Sequence, residues 1–387
     1  MWYRLLNLAG RKLLPIVQGG MGVGISAHRL AGAVAAQNAV GTIASVDLRH
    51  HHPDLVDATR RCRDTEQIAQ ANRTALDREI KAAKALAHGQ GLIAVNVMKA
   101  VADHAALVQQ ACLSGADAIV MGAGLPLDLP DMTADHPKVA LIPILSDARG
   151  IAIVIKKWMK RNRLPDAIVI EHPGHAGGHL GAPRIGDLND ARFDFDAVLR
   201  DTHALFGELE LGQDAPKLIV AGGVDNHEKV RHWLTHGADA VQLGTAFAVT
   251  TEGDAHPDFK AVLAGAKPED LVEFISVAGL PARAVLTPWL KQYLGRETKL
   301  QAVAKADPRR CTQRMDCLST CGLRDGIDRI GQFCIDLKLA AALRGEVDKG
   351  LFFRGAGSLP FGTAIRPVKE LIDYLLMGIN NGVVATA

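Results

Sequence analysis

Gly115-Ala116-Asp117-Ala118-Ile119-Val120 and Gly237-Ala238-Asp239-Ala240-Val241-Gln242 are near copies of one phrase. Each reads as a helix-ending glycine, a short turn and a buried strand. Such recurrence is natural in a chain of repeated strand–helix units, because every unit must return a helix to a parallel strand. Outward from the two phrases, short apolar runs alternate with helical stretches. Strands are predicted at 14–18, 41–45, 92–97, 118–121, 139–145, 167–170, 218–221 and 240–243. Helices are predicted at 27–37, 65–87, 102–113, 148–161, 195–206 and 227–235. Between the fourth and fifth strands, 124–137 reads as a loop with at most one short turn. Eight strands with helical crossovers fit a closed barrel or an open doubly wound sheet, and the recurring phrase favours the barrel. After about Thr250 the alternation stops. Residues 255–387, punctuated by Pro257, Pro268, Pro281 and Pro288, read as helical, with an amphipathic pattern at 367–377. The expectation is an α/β protein: a (β/α)8 TIM barrel of residues 1–250, and a C-terminal, mostly α-helical extension of residues 251–387 over the barrel mouth.

Composition supports this class. Apolar residues make up 48% of the 387 residues while aromatics make up only 4%, so Ala, Val, Leu, Ile and Gly carry the core, as buried parallel strands under Ala-rich helices require. The net charge of +2 gives no electrostatic footprint for nucleic acid or an anionic membrane. The basic run Lys156-Lys157-Trp158-Met159-Lys160-Arg161 reads as a solvated helix face. No window of 18 apolar residues occurs, and the first residues lack the pattern of an export signal. Six cysteines in such a chain suit thiols in a reducing compartment, so a cytoplasmic location is expected, with no membrane or nucleic-acid partner and with self-association left open.

Three stretches carry chemistry. Pro15-Ile16-Val17-Gln18-Gly19-Gly20-Met21-Gly22-Val23-Gly24 runs from a strand into a glycine turn, where backbone N–H groups can approach a planar or anionic ligand. Gly22-Val23-Gly24-Ile25-Ser26-Ala27 also fits the dinucleotide pattern G-x-G-x-x-A with Asp47 as the ribose acid, and a plain tight turn is a third reading. Glu171-His172-Pro173-Gly174-His175-Ala176-Gly177-Gly178-His179-Leu180-Gly181 follows the sixth strand. Three histidines among glycines at the C-terminal end of a barrel strand point to acid–base or polarising chemistry. A metal reading is weaker, because the glycine content prevents the helix that would put two of these ligands on one face. The third stretch pairs Ala221-Gly222-Gly223-Val224 with Gln242-Leu243-Gly244-Thr245, the two loops from which many barrels bind phosphate. Either alone could be an ordinary strand-end turn.

These stretches, with Val95-Asn96-Val97-Met98 and Gly279-Leu280-Pro281-Ala282-Arg283, resemble the nitronate monooxygenase (2-nitropropane dioxygenase-like) flavoproteins over most of residues 13–290. The resemblance implies a barrel that holds FMN without a covalent link. It places Gln18, Gly19, Gly20, Met21 and Gly22 along the isoalloxazine and Asn96 within reach of it. Gly222, Gly223, Gly244 and Thr245 would hold the phosphate, Gly178 and Gln242 would complete the cofactor site, and His179 would be the catalytic histidine. One FMN site accounts for all five motifs, whereas the dinucleotide pattern accounts for one.

The resemblance implies oxidative denitrification of alkyl nitronates with O2. The same motifs resemble flavin-dependent enoyl-acyl-carrier-protein reductases and NADH:quinone reductases, so the alternative is NAD(P)H-dependent reduction of an enoyl thioester or a quinone. A flavin-binding barrel acting as a sensor is a third, non-enzymatic option. Two features depart from the family pattern. His172-Pro173-Gly174-His175 stands where a Glu precedes the Ala-Gly-Gly-His phrase. Cys311, Cys317, Cys321 and Cys334, four of the six cysteines, crowd one short stretch. Such clustering suits an iron–sulfur cluster, an all-cysteine zinc site, or structural and redox thiols; the spacing matches neither the zinc-ribbon nor the ferredoxin pattern.

Overall fold

The computed structural model describes residues 2–378 apart from residue 63 and residues 312–316. All eight predicted barrel strands form. In chain order the strands are β1 (Leu6–Leu8), β2 (Arg11–Leu13), β3 (Ile16–Gln18), β4 (Val40–Ala44), β5 (Leu92–Met98), β6 (Ala118–Gly122) and β7 (Ala140–Leu145). Then come β8 (Ala167–Glu171), β9 (Gly178–His179), β10 (Lys217–Ala221), β11 (Ala240–Leu243), β12 (Leu271–Ile275) and β13 (Pro281–Val285). Strands β3 to β8, β10 and β11 pair in parallel and close into a barrel in the order β10-β11-β3-β4-β5-β6-β7-β8.

The alternation of side chains along each strand explains the core. In β5, Leu92 and Ala94 point into the barrel, while Ile93 and Val95 pack outward under the helices. The barrel interior is filled by Val17, Val40, Val120, Ile142, Val169 and Ile219 together with alanines, and needs no aromatic ring. An unpredicted hairpin, β1–β2, adds Leu6, Leu8 and Leu13, all at most 3% exposed, to the same interior cluster. It caps the N-terminal end of the strands, and each buried leucine stabilises the fold by about 1.5–3 kcal/mol.

The crossover helices follow the sequence closely. Thr65–Ala87 buries Ile68, Ala71, Ala75, Leu76, Ile80 and Ala83 on one face, and the Asp64 carboxylate caps its first turn by accepting from the N–H groups of Glu66 and Gln67. The fourth-to-fifth connection holds one short helix, Leu129–Met132.

The segment beyond residue 250 is mostly helical, as expected, but it also holds a hairpin that the sequence reading did not anticipate. Antiparallel β12 and β13 pair with each other, and β13 also pairs with β9, giving a three-stranded sheet outside the barrel. Pro257, Pro268 and Pro288 do open helical segments, but Pro281 opens a strand. Proline satisfies both places, since neither a helix's first turn nor a strand's first residue needs its N–H. From this segment Cys317, Leu318, Ile335, Asp336, Leu351 and Phe353 line the space at the barrel mouth. Helix Val368–Met377, by contrast, packs on the barrel's flank, with Val368, Leu371, Ile372, Leu375 and Leu376 in the layer between strands and helices.

Candidate active site

A cavity of about 300 Å³ opens at the C-terminal ends of the barrel strands, roofed by the C-terminal segment. Its size falls at the lower end of the range of about 300–1,000 Å³ for small-molecule sites. Gly19, Gly20, Met21, Gly22, Asn96, Gly178, His179, Gly222, Gly223, Gln242, Gly244 and Thr245 all line it, so all but one of the residues to which the resemblance gives a cofactor or catalytic role converge on one space. Gln18 is the exception. Its side chain is fully buried and spans β3 and β4, accepting from Thr42 N–H at 2.9 Å and donating to Thr42 O at 3.0 Å. Only Val17 and Val40 register across that pair of strands, so the Gln18 amide reinforces the thinnest seam of the barrel.

His179 lies on β9, opposite Ala282 of β13. Its Nε2 is 3.0 Å from Ser276 Oγ, and its ring packs against Phe353 with centroids 5.6 Å apart. Burial pulls the imidazole down to about 4, so the ring is neutral at physiological pH. Ser276 Oγ also accepts the Ala278 N–H at 3.3 Å, so the hydroxyl is held between that N–H and the His179 ring nitrogen. The loop leading to His179 is held by Arg283, 3% exposed, whose guanidinium donates to Ala176 O and to Glu273 Oε1. The other two histidines of the run do different work. His172 turns away from the cavity and accepts the Gly174 N–H at 3.0 Å, whereas His175 lies in the cavity wall against Gly223.

Glu171, at the end of β8, also faces the cavity; burial raises its carboxyl to about 7, so that a sizeable fraction stays protonated at neutrality. A second charged group touches the roof. Arg49 Nε binds Asp47 Oδ1 at 2.6 Å, His50 Nε2 lies 3.1 Å from Asp47 Oδ2, and the same nitrogen is 3.9 Å from Asp336, a cavity-lining carboxylate of the roof helix Ile335–Leu343.

The residues fit an FMN phosphate. Gly222 and Gly223 have φ of +95° and +78°, a left-handed pair that presents successive N–H groups to one concavity. Among the described residues, neither these two nor Gly244 gives its N–H to another loop carbonyl. Thr245 Oγ1 accepts the Gly355 N–H at 3.1 Å, and its own proton is free to donate. Facing these loops is a segment that the sequence reading missed, Arg354-Gly355-Ala356-Gly357-Ser358, of which all but Ala356 line the cavity. Arg354 is 5% exposed and donates through Nε to Leu263 O at 2.9 Å. A basic residue beside two spaced glycines and a serine is itself an anion-binding signal that could have been read. Ser276, Asp336 and Glu171 carry no such signal, because only tertiary packing brings them to the cavity.

The four cysteines are described and none is in a disulfide; Cys317 lines the cavity. Among the described residues, one group of three potential metal ligands has its ligand atoms within 4.8 Å of one another, Asp47, His50 and Asp336, and it contains no cysteine.

A closed parallel barrel with phosphate-type loops after its last two strands and a buried histidine at the same mouth defines a flavin-dependent barrel oxidoreductase. Residues 7–378 match the nitronate monooxygenase family, and the chain belongs to that family, whose members are FMN-binding oxidoreductases. A "Probable nitronate monooxygenase" of Bacillus subtilis strain 168 is 30% identical over 152 residues, 39% of this chain and 41% of that relative, so the chain spans well under half of the relative's length. The fold is similar to the nitroalkane oxidase of Streptomyces ansochromogenes, with a TM-score of 0.61 and 19% identity over 96% of this chain and 95% of that one. It is also similar to FabK of Thermotoga maritima, with a TM-score of 0.56 and 20% identity over 94% and 91%. Among the described residues, no helix is long and apolar enough to cross a membrane.

Proposed function

We propose that this protein oxidises an anionic alkyl nitronate, with bound FMN as the redox group and O2 as the electron acceptor. The observation that supports this most directly is His179: a neutral, buried imidazole fixed by Ser276 at the wall of the cavity that holds the phosphate-type loops. Gly222, Gly223, Gly244 and Thr245 would hold the FMN phosphate, Arg354 would balance its charge, and Asn96 with residues 19–22 would border the ring. When bound, FMN supplies the two-electron chemistry and the reaction with oxygen. The protein's own groups orient the substrate and exclude water. The neutral His179 ring, in the tautomer that carries its proton on Nδ1, would donate a hydrogen bond to the nitronate oxygen, and the roof residues Leu318, Ile335 and Phe353 keep the site dry.

One observation favours a second reading, NAD(P)H-dependent reduction of an enoyl thioester or a quinone. Such a reduction consumes a proton, and Glu171 offers a carboxyl that is still protonated near neutral pH. Anaerobic mixing of the FMN-loaded protein separates the two. Bleaching of the flavin absorbance by ethyl nitronate and not by NADH or NADPH supports the first reading, and bleaching by the nicotinamides alone overturns it.

A further inference from the structure

The function proposed above leaves Cys311, Cys317, Cys321 and Cys334 unused, yet the fold gathers them at the roof of the cavity. The segment carrying Cys317 is pinned to the loop after β5: Val101 and Leu318 form a β-bridge, Cys317 O accepts the Ala102 N–H at 3.4 Å, and Ser319 N–H donates to Ala100 O at 2.9 Å. That pinning sets Cys317 in the cavity wall. Cys321 directly precedes the short turn of helix Gly322–Asp325, and Cys334 directly precedes the roof helix Ile335–Leu343. Cys317 and Cys321 pack against one apolar cluster, which includes Phe274, Leu290, Tyr293 and Phe333. Cys311 directly follows the short turn Pro308–Arg310, which packs against Gly322–Asp325, and the Asp307 N–H donates to Arg324 O at 3.0 Å, so the stretch that ends at Cys311 lies against the one that begins at Cys321.

Four cysteines that share one partly buried neighbourhood, with no disulfide among them, form a ligand set for a soft metal. Their spacing separates the candidates. Thiolates around one zinc ion, each about 2.3 Å from the metal, lie within about 4 Å of each other. No three of these sulfurs meet even a 4.8 Å limit. An iron–sulfur cluster holds its thiolates farther apart, because each binds a different iron of the core. The surroundings suit such a cluster as well. Lys338 stands one turn along the roof helix from Cys334, its N–H donating to Cys334 O at 3.3 Å. A nearby cation offsets the negative charge of a four-thiolate cluster.

We propose that Cys311, Cys317, Cys321 and Cys334 ligate a [4Fe–4S] cluster in the roof of the cavity, placing a one-electron centre at its wall through Cys317. The reading of the cavity as an FMN site enters only through this position. Full-length protein, purified without oxygen and reconstituted with ferrous iron and sulfide, is expected to hold about four iron and four sulfide per chain. Reduction with dithionite should give a low-temperature electron paramagnetic resonance signal distinct from that of flavin. Cys321→Ser and Cys334→Ser should lose that iron and signal while keeping the wild-type FMN content, whereas Cys62→Ser and Cys112→Ser should keep both. Iron and sulfide no higher than in the Cys321→Ser protein, or one zinc per chain in their place, would overturn the proposal. Should the serine variants fail to fold, the iron, sulfide and resonance measurements on the wild type decide alone. Lack of reactivity toward nitronates leaves these readouts untouched, so the two proposals fail separately.

Discussion

His179 Nε2 and Ser276 Oγ stand 3.0 Å apart, although the two residues come from opposite ends of the three-stranded sheet. The serine precedes the turn between β12 and β13, so the hairpin that carries β9 along its edge also sets the orientation of the imidazole. The catalytic candidate thus belongs to a small sheet laid across the mouth, while the phosphate-type loops belong to the barrel.

Replacing Ser276 with Ala tests this positioning. The imidazole stays in the cavity but loses the hydrogen bond that fixes its orientation, so kcat should fall about tenfold with little change in KM, given that one hydrogen bond contributes about 0.5–1.5 kcal/mol. Replacing His179 with Ala removes the group itself and should lower kcat by about 10²–10⁴. Both variants should retain FMN. Steady-state kinetics on flavin-loaded protein provide the check, and unchanged turnover in His179→Ala would show that the histidine is not catalytic.

Two groups set the expected pH behaviour. With His179 held near 4, the rate should show no inflection from this imidazole between pH 5 and 8. Glu171, raised to about 7, should give an inflection near neutrality that vanishes in Glu171→Gln. The linkage to stability has a definite sign. Between the ordinary carboxyl range and pH 7 the folded chain keeps a proton on Glu171 that the unfolded chain releases, so stability contributed there is lost as pH rises through 7. Thermal melts at pH 5.5 and 8 should therefore differ less in the Gln variant than in the wild type.

The loop after β10 depends on left-handed backbone. A Cβ at Gly222 would lie 3.0 Å from His172 O, and φ of +95° disfavours any side chain. Gly222→Ala should cost about 1–2 kcal/mol and weaken FMN binding about tenfold or more, as read by quenching of flavin fluorescence on titration.

Arg354 should matter through charge. Arg354 lines the cavity that the two phosphate-type loops border, with Nε and Nη1 donating to Leu263 O and Gly355 O, so Arg354→Gln should weaken FMN binding about tenfold to a hundredfold, the equivalent of about 1.5–3 kcal/mol for hydrogen bonds to a charged group. Riboflavin, which lacks the phosphate, should bind the variant and the wild type equally well. A loss shared by both ligands would place Arg354 in the folding of the roof instead.

Arg283 holds the histidine loop from below. Arg283→Ala leaves Ala176 O and Glu273 without their donor, and the half-exposed Glu273 can turn to water, so the expected loss is about 1–3 kcal/mol. Urea denaturation monitored by far-ultraviolet circular dichroism gives the value.

The barrel was legible because its strands are buried on both faces: runs such as Ala118-Ile119-Val120-Met121 stand out from the polar turns that bound them. The phosphate-type loops and the His179 loop were legible for a related reason, since glycine and histidine at strand ends have few packing uses. The hairpin β12–β13 was not. Leu271-Val272-Glu273-Phe274-Ile275 has no strict alternation, and Pro281 reads equally well as a helix start. Gln18 is a different case. A polar residue in a cofactor-type motif is fully buried, and its hydrogen bonds go to the backbone of the neighbouring strand instead of to the cavity. Asp336 and Ser276 became visible only when distant segments met.

Helix Val368–Met377 lies beside His227–Thr235 on the barrel's flank, tied to the N-terminal residues by the Trp2 indole, which donates to Leu376 O at 2.7 Å, and to its neighbour by His227 Nδ1, 3.0 Å from Leu375 O. A ribosome therefore releases all eight barrel strands well before the helix that covers the last gap in their outer wall. Until that helix arrives, the nascent barrel shows an apolar furrow where Leu371, Ile372 and Leu375 will lie. Synthesis of this chain thus has a vulnerable interval, in which chaperone capture competes with premature aggregation.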